Sequence, residues 1–343
     1  MQRLRVDSSI CSKLIFYMLN SNFVREQFNY LSNTTSGLGN INSSLINNVI
    51  IPISKNLTDQ QKISAYLDHK CAQIDATLAS IQQSIEKLKE YRQAVITRAV
   101  TKGLDLDAKM KDSGVEWIGE IPEGWEFVRF KNKFSFGRGL PITKADLIDT
   151  GIPVINYGQI HAKTNDGVHL SDDLIRFVSQ EFLQTNPDSL LKYGDFVFAD
   201  TSEDYEGIGN AIFIDYNSQI FAGYHTVICY PKKSENSKYI AYQFTTDIWR
   251  SQLRKVAAGI KVFSITQAML SSTFILQPPI EEQHQIASYL DQKCAQIDAL
   301  IAEKQKLHDK ITTYKKSLIY EYVTGKREVP DGWHGASELD FKQ

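Results

Sequence analysis

A long internal repeat constrains the fold of this chain more than any other feature. Residues 58–75 read TDQQKISAYLDHKCAQID, and residues 281–298 read EEQHQIASYLDQKCAQID, so YLDxKCAQID returns 223 positions later. Solenoid repeats recur every 20–50 residues or so, and a spacing this wide indicates a duplicated domain instead. We therefore expect two equivalent structural units along the chain.

Each copy of the repeat predicts a long amphipathic helix. Apolar residues recur at alternating spacings of three and four, which is the a/d pattern of a coiled coil. Thr58 with Gln61 can form an N-terminal capping box, and Gly103 and Gly325 stand where C-terminal caps are expected. The two helices should pack against each other, each over about 40 residues and roughly 60 Å. The predicted helix-pairing residues are Leu67, Cys71, Ile74, Leu78, Ile81, Ile85, Leu88, Leu290, Cys294, Ile297, Ile301, Ile311 and Leu318.

Between the helices the pattern changes to short runs that are typical of strands. Alternating or apolar segments bounded by turn residues predict β-structure. The segments are WEFVRF, IPVINYGQI, GDFVFAD, NAIFID, HTVICY and TFILQPP. One helical segment, KYIAYQFTTDIWRSQLRKVAA, interrupts them late. The expected fold is α+β: one mixed α/β domain plus two long, mutually packed coiled-coil helices, with a partial first domain.

The N-terminal residues resemble the end of the middle domain. SKLIFYMLNSNFVREQFNYL parallels SKYIAYQFTTDIWRSQLRKV, and VIIPIS parallels TFILQP. Because only 57 residues precede the first helix, we expect only the C-terminal part of a first domain there. The predicted organisation is a first-domain remnant at 1–57, the first long helix at 58–103, a linker at 104–115, the second domain at 116–279, the second long helix at 280–326 and a polar tail at 327–343.

Composition limits the classes of function. The net charge is −2, and residues 116–279 carry 15 Lys and Arg against 19 Asp and Glu. A DNA-binding domain with this balance must gather its basic residues on one face, or partners must supply phosphate contacts. Four scattered cysteines without a CxxC pair predict a reduced, cytoplasmic protein without structural zinc. No apolar run reaches the length of a membrane helix, so no membrane association is expected.

No set of residues in the sequence points to catalysis. TGKRE lacks the upstream glycine of a phosphate-binding loop, and QPPIEE lacks the asparagine of an adenine-methylation motif. Ser, His and Asp occur without a local constellation. We predict no catalytic residues, no cofactor and no metal site.

Four segments, in order, resemble the specificity subunits of type I restriction-modification systems. EWIGEIPEGWE (116–126) is similar to the opening of a target-recognition domain, and GDFVFADTSE (194–203) to its Gly-Asp-apolar segment and polar loop. ILQPPIEEQHQIASYLD (275–291) resembles the family's junction between domain and helix, and VTGKREV (323–329) resembles the C-terminal segment of the family's sequences. The resemblance implies a non-catalytic subunit whose target-recognition domains each read one half of a split DNA target, held apart by the paired helices.

The resemblance also implies partners. Double-stranded DNA would be the ligand, methyltransferase subunits would pack on the helices and methylate adenine, and restriction subunits would join to translocate and cut. With one incomplete reader, a homodimer is one way to rebuild a two-headed complex. Two alternatives stay open: a truncated non-functional or cassette-donor fragment, and a non-DNA coiled-coil interaction protein.

Recognition of a DNA sequence needs polar side chains at base edges, with phosphate contacts that fix the register. Such side chains are expected on polar, glycine-flanked loops between strands of a rigid scaffold. Arg138 could bond guanine bidentately and Gln159 adenine. We expect His161 and His225 to be surface or strand histidines. The candidate DNA-binding residues are Arg138, Lys144, Tyr157, Gln159, Thr201, Ser202 and Lys261.

Charged residues common to both copies of the long repeat are expected on a solvated face, where they could form local ion pairs. This face could also be the surface that methyltransferase subunits bind. The residues are Asp68, Lys70, Asp75, Asp291, Lys293 and Asp298.

Overall fold

The computed structural model describes residues 4–32, 43–115, 118–232, 237–257, 259 and 262–333. It divides into two compact units. Unit 1 comprises Met1–Lys89 with Asp298–Gln343, and unit 2 comprises Glu90–Ile297. Each of the two long helices contributes residues to both units. Each helix contains one copy of the repeat, and the predicted α+β fold is confirmed.

The helices include two of more than forty residues, as the repeat predicts. Within the described ranges, no helix combines the length and the apolar character that crossing a membrane requires. The helices are Ser12–Asn20 (α1), Asn22–Ser32 (α2), Ser43–Asn47 (α3), Leu57–Lys102 (α4), Phe130–Lys133 (α5), Tyr157–Ile160 (α6), Phe182–Thr185 (α7), Ser237–Phe244 (α8), Asp247–Arg254 (α9), Gln267–Ser272 (α10) and Ile280–Val323 (α11).

The start of α4 differs in detail from the prediction. Thr58 with Gln61 was the expected cap, but the Asn56 side chain accepts the Thr58 backbone N–H over 2.9 Å. The helix therefore begins at Leu57, since asparagine caps as well as threonine does. At the other end Gly103 has φ +74°, and Gly325 after α11 has φ +70°. Both conformations favour glycine over any residue with a side chain.

In unit 1 the two long helices run antiparallel. The Tyr66 and Tyr322 rings lie 4.8 Å apart, and Lys315 Nζ lies 2.6 Å from Asp75 Oδ1. As the residue number rises along α4 it falls along α11, which is the antiparallel order. The buried core of this unit joins α1 to both long helices. Its residues include Leu14, Tyr17, Met18, Leu67, Cys71, Leu318, Tyr322 and Val323.

Unit 2 contains the β-structure. Two four-stranded sheets have the orders β10-β8-β12-β4 and β6-β5-β11-β7, and β5 pairs with β11 in parallel. The remaining pairs, β1-β2, β13-β9 and β14-β3, are antiparallel. The strands are Met110–Asp112 (β1), Glu120–Pro122 (β2), Glu126–Arg129 (β3), Phe134–Arg138 (β4), Ile152–Ile155 (β5), Arg176–Val178 (β6), Leu190–Leu191 (β7), Phe196–Ala199 (β8), Thr201–Ser202 (β9), Ala211–Phe213 (β10), Ile220–Ala222 (β11), Thr226–Pro231 (β12), Phe263–Ser264 (β13) and Phe274–Gln277 (β14).

Two predicted segments are divided by capping residues. The expected strand IPVINYGQI ends at Ile155, because Asn156 and Gln159 form a capping box that starts α6. The expected single helix near the end of unit 2 is two helices, because Thr246 accepts the Trp249 N–H and starts α9. A polar side chain that bonds the backbone locally competes with continuation of a strand or helix.

The predicted helix-pairing residues are all buried or half-buried. Those of the first copy that are buried are Leu67, Cys71, Ile81 and Ile85, and those of the second copy are Leu290, Cys294, Ile297 and Leu318. Ile74, Leu78, Leu88, Ile301 and Ile311 are half-buried. The two cysteines belong to different cores, Cys71 to that of unit 1 and Cys294 to that of unit 2, and both are free thiols. The pairing role of each residue stays a prediction.

The structure also points to a second, shorter repeat. EIPEGW at 120–125 returns as EVPDGW at 328–333. In both copies the tryptophan N–H donates to the proline carbonyl three residues before it, over 2.9 Å for Trp125 and 3.0 Å for Trp333. Trp125 packs edge-on against Tyr239 in unit 2, and Trp333 packs edge-on against Tyr66 in unit 1. Each tryptophan therefore ends a similar turn and packs against a helix of its own unit.

Candidate nucleic-acid interface

Three loops open at one end of the β10-β8-β12-β4 sheet. Arg138, the last residue of β4, pairs with Val227, and Ala199, the last residue of β8, pairs with Thr226. Because neighbouring strands are antiparallel, the loops after β4, after β8 and before β12 meet at this end. They bound a groove of about 620 Å³. We call it the loop groove, and the residues that matter below are Arg138, Asp200, Tyr224, His225 and Gln267.

Two glycines let these loops cross closely. A β-carbon on Gly139 would overlap the Gly223 carbonyl and the Thr226 hydroxyl. A β-carbon on Gly223 would overlap the side-chain oxygen of Asn156. The absence of a side chain is therefore required at both positions, since backbone approaches backbone at the floor of the groove.

His225 has an unusual backbone conformation at the rim of the loop groove. Its φ is +56°, the one positive value among the described residues other than glycine. Its Nδ1 lies 3.3 Å from Asp200 Oδ1, and its ring centroid is 5.6 Å from that of Tyr157. The Asp200 N–H also donates to the His225 carbonyl over 3.1 Å. Strained conformations of this kind concentrate at functional sites, so His225 joins the candidate set although the sequence marked it as an ordinary histidine.

Three of the predicted DNA-binding residues lie at or beside this groove. Arg138 is exposed and lines it. The Tyr157 ring packs against Tyr224 and His225, with a centroid 5.8 Å from that of Tyr224. Thr201 follows Asp200 directly, but its carbonyl already accepts a bond from His161 Nε2 at 2.8 Å. The structure therefore brings together residues from positions 138, 157 and 201, which are distant in sequence.

The other predicted residues are placed differently. Ser202 is 2% exposed, and its hydroxyl donates to the Asp204 carbonyl over 2.7 Å, so it shapes its own loop. The side-chain oxygen of Gln159 accepts from the Asn156 backbone in the α6 capping box. Lys144 is exposed in a separate short 3-10 helix. Lys261 lies outside the described residues. We therefore leave Ser202 and Gln159 out of the groove's set of free polar groups.

Three further polar residues at or beside the groove were not among the predicted DNA-binding residues. Gln267 donates to the Gly137 carbonyl over 3.2 Å, which ties the loop before α10 to β4. His161 bridges two loops, because it accepts from Asn210 at Nδ1 and donates to Thr201 at Nε2. Asp200 stands in the GDFVFADTSE segment, where the aspartate after a buried strand was a usable signal.

Positive charge is not concentrated at the loop groove. Among the described residues that line it, Arg138 and His225 can be positive and Asp200 is negative. A second cavity of about 770 Å³ in the same unit is lined by Lys192, Lys232, Lys238 and His284, together with Asp195 and Asp291. Burial raises the pKa of Asp195 to about 6, although bonds from Lys192 oppose the rise. The basic face that the charge balance would require of a DNA-binding domain is therefore not at the loop groove.

The described part of the chain holds no group of three His, Cys, Asp or Glu side chains arranged as a metal site. The four cysteines are free, and three of them are buried. What the groove offers is hydrogen bonding through Arg138 and His225, with Tyr157 and Tyr224 as aromatic surface. Such a set can bind the edges of bases.

Comparisons with known proteins agree with the sequence resemblance. The model of the type I restriction modification DNA specificity domain matches residues 122–309, which is more than half of the chain. The type I restriction enzyme MjaVIII specificity subunit of Methanocaldococcus jannaschii is 25% identical, and the match covers 92% of this chain and 70% of that protein. The EcoKI specificity subunit of Escherichia coli is 23% identical, over 94% of this chain and 67% of its own.

A solved structure supports the fold. A chain from work on complex assembly and conformational transition of the type I R-M system superimposes with a TM-score of 0.72, at 16% identity. The superposition covers 94% of this chain and 74% of that chain. At this identity the likeness concerns the fold alone. Together with the family match and the duplicated long helices, it leads to one conclusion: the chain belongs to the type I restriction modification DNA specificity family.

Proposed function

We propose that this chain is the DNA-recognition subunit that directs adenine methylation, and restriction, by partner subunits to a bipartite target, with no catalytic role of its own. The observation that carries the proposal is the loop groove, where loops distant in sequence place Arg138, Tyr157 and His225 together on a rigid sheet. Family membership supplies the context in which such a groove reads DNA.

The groove suits direct reading of bases better than binding of phosphates. Arg138 has a guanidinium fork that matches the O6 and N7 edge of guanine. The exposed His225 imidazole packs against the Tyr157 ring, and the tyrosines offer flat apolar surface. Phosphate binding draws on Lys and Arg in number, and the described rim of the groove offers one Arg.

Partners therefore supply much of the DNA affinity in this proposal. The partners are methyltransferase subunits and, for cutting, restriction subunits, with double-stranded DNA in the cytoplasm as the ligand. The isolated chain should bind its target weakly and with a shallow salt dependence, whereas the assembled complex should show a steep one. A homodimer stays a prediction, as does the partial first domain, and light scattering on the purified complex measures the copy number.

The long helices set the separation of the two half-sites in this proposal. The 46 residues of α4 span roughly 69 Å at about 1.5 Å per residue. That length corresponds to about 20 base pairs at roughly 3.4 Å each, which accommodates two short half-sites and an unread gap.

The test is co-expression with a methyltransferase subunit, followed by single-molecule sequencing of the host DNA for methylated adenine. A new split motif supports the proposal, and a matched strain with Arg138→Ala shows whether the groove reads it. A complex that forms but methylates nothing would favour the fragment alternative. A chain that neither assembles nor binds DNA would favour the non-DNA interaction protein.

A further inference from the structure

A half-exposed carboxylate joins the N-terminal helix of unit 1 to the long helix. Asp68 of α4 accepts a hydrogen bond from Tyr17 Oη over 2.6 Å, and Lys13 Nζ lies 3.1 Å from the same oxygen. Lys13 and Tyr17 stand four residues apart on α1, so they share one face of that helix. This trio is the first Lys–Tyr–Asp cluster.

The same arrangement occurs in unit 2 with different residues. Asp291 of α11 accepts from Tyr242 Oη over 2.8 Å, and Lys238 Nζ lies 2.8 Å from its other oxygen. Lys238 and Tyr242 also stand four residues apart, on α8. This trio is the second Lys–Tyr–Asp cluster.

The two clusters lie at corresponding positions of the two duplicated segments. SKLIFYMLN and SKYIAYQFT share few letters beyond the serine, lysine and tyrosine, yet both helices direct the lysine and tyrosine to an aspartate of the long repeat. Asp68 and Asp291 occupy the same place in the two copies of YLDxKCAQID. Two occurrences of one geometry in diverged surroundings indicate a shared requirement.

The tyrosines are fixed donors. Burial raises the pKa of Tyr242 far above its ordinary value, and the hydrogen bond to Asp291 raises it further. Burial and the bond to Asp68 do the same for Tyr17. Both hydroxyls therefore keep their protons at any physiological pH, and both bonds to a charged acceptor are of the stronger, more directional kind.

The second cluster is reinforced by neighbours that the first lacks among the described contacts. His169 Nε2 lies 3.7 Å from Asp291, and its Nδ1 lies 2.9 Å from Asp166. Arg92 of α4 lies 3.8 Å from Asp166 in turn. Asp291 is thus the meeting point of α8, the loop that carries His169, and the long helix itself.

We propose that Asp68 and Asp291 are positioning residues, each of which fixes the angle at which the preceding helix pair sits on the long helix within its own unit. This inference rests on the proposed function, because in unit 2 that angle decides where the loop groove stands relative to α11 and hence which spacing the subunit accepts. The repeated carboxylates are then internal contacts instead of a surface for partner subunits. A hydrogen bond from a buried tyrosine hydroxyl to a carboxylate is directional, which is what such a role needs.

The test asks whether a variant changes the preferred gap between the half-sites, the half-site sequences, or both. Tyr242→Phe and Asp291→Asn complexes are assayed for methylation on targets whose gap between half-sites varies in single base-pair steps. We expect the preference for the best gap over its neighbours to fall about tenfold, as loss of a bond to a charged group predicts, while the half-site sequences stay unchanged. Equal losses at every gap length would mean a merely structural role and would overturn the proposal. Lys238→Arg should keep the wild-type profile, and Lys238→Met should not.

Two matched controls come from the chain itself. Glu86→Gln removes the charge of an exposed ion pair with Lys89 on α4 and should leave the profile unchanged. Tyr17→Phe removes the equivalent bond of unit 1 and should alter the spacing preference in the same sense as Tyr242→Phe. A Tyr17→Phe profile identical to the wild type would refute the shared role of the two clusters.

A measurement without DNA separates this inference from the proposed function. Spin labels at Asp149→Cys and Gln296→Cys, in a Cys11→Ser chain, report the distance between domain and helix within unit 2. Both label sites are exposed. A distribution that widens in Tyr242→Phe supports the positioning role even if no methylation is found for the wild type. A distribution that stays unchanged overturns it even if methylation is found.

Discussion

The Nδ1 atom of His225 lies 3.3 Å from Oδ1 of Asp200, and His225 holds a left-handed backbone with φ +56°. Because this conformation costs a residue with a β-carbon about 1 kcal/mol or more, something must compensate for it. The contacts that can do so are the Asp200 N–H, which donates to the His225 carbonyl over 3.1 Å, and the packing of the imidazole against the Tyr157 ring. The side chain and the backbone of this residue can be tested apart.

His225→Gly and His225→Ala should differ in stability but not in DNA recognition. Glycine relieves the backbone cost, so we expect His225→Ala to be about 1 kcal/mol less stable than His225→Gly. Both variants lose the imidazole and should methylate the target less selectively. Chemical denaturation measures the first difference and sequencing of methylated DNA the second. Wild-type selectivity in the glycine variant would remove His225 from the reading set.

Arg138→Ala should relax one position of the target while the complex with the methyltransferase still assembles. A bidentate contact to guanine is worth about 1–3 kcal/mol, so discrimination at that position should fall roughly 5- to 150-fold. Arg138→Lys keeps the charge without the fork and should recover little of it. Methylation of a randomised target library gives the profile. Loss of assembly in Arg138→Ala would show that the residue was wrongly assigned.

Gly139→Ala should destabilise the loop crossing at the floor of the groove. The new methyl group would overlap the Gly223 carbonyl, and relieving such overpacking costs about 1–3 kcal/mol. Gly158→Ala is the matched control, since a β-carbon there meets nothing within 4 Å. Thermal unfolding of the two variants should place only Gly139→Ala well below the wild type. Equal melting temperatures would mean that the loops do not cross as described.

The His169–Asp166 pair should make stability depend on pH. The hydrogen bond that His169 donates to Asp166 raises the pKa of His169, although burial opposes it. Burial raises the pKa of Asp166, but the bonds from His169 and two backbone N–H groups outweigh this and lower it. The histidine contribution is complete below about pH 6.5 and is lost as the pH rises through the raised folded value. The aspartate contribution is present above about pH 4 and is lost on acidification below it.

For this pair we compare how steeply the free energy of unfolding changes with pH in the wild type and in His169→Gln. Between about pH 5.5 and 8.5 the wild type should lose more stability than His169→Gln, which has no proton to release in this range. The other charged groups that face His169 are Asp291 and Lys238. Denaturant titrations at both pH values provide the measurement. Parallel slopes would mean that the His169 contact does not persist in solution.

Leu67→Ala tests the packing of unit 1. Leu67 is fully buried among α1 and both long helices, and truncating a buried leucine costs about 2–5 kcal/mol. Leu300→Ala removes the same atoms from a side chain that is 48% exposed and should cost well under 1 kcal/mol. Denaturation midpoints of the two variants separate packing from helix propensity. Similar losses would argue against Leu67 as a helix-pairing residue.

Much of the architecture follows from the sequence because its signals are local or repeated. The three-and-four spacing predicts both long helices, and the predicted ends lie within three residues of the observed ones. The strands β8, β12 and β14 follow from short apolar runs between turn residues. The match of EIPEGW with EVPDGW is equally local, and it was available in the sequence although we did not use it.

The candidate site depends on relationships that no local pattern contains. Arg138, Asp200 and His225 meet because β12 pairs with both β4 and β8. The strand sequences alone are compatible with many other strand orders. The tertiary structure also decides whether a polar loop side chain is available to bind DNA. Ser202 and Gln159 carry suitable groups, but these groups form hydrogen bonds with the nearby backbone. The sequence by itself determined the duplicated helices and the strand-rich domain, because period and repetition act on neighbouring residues. Only the tertiary structure decided which polar groups face the groove, because that depends on burial and strand order across the whole unit.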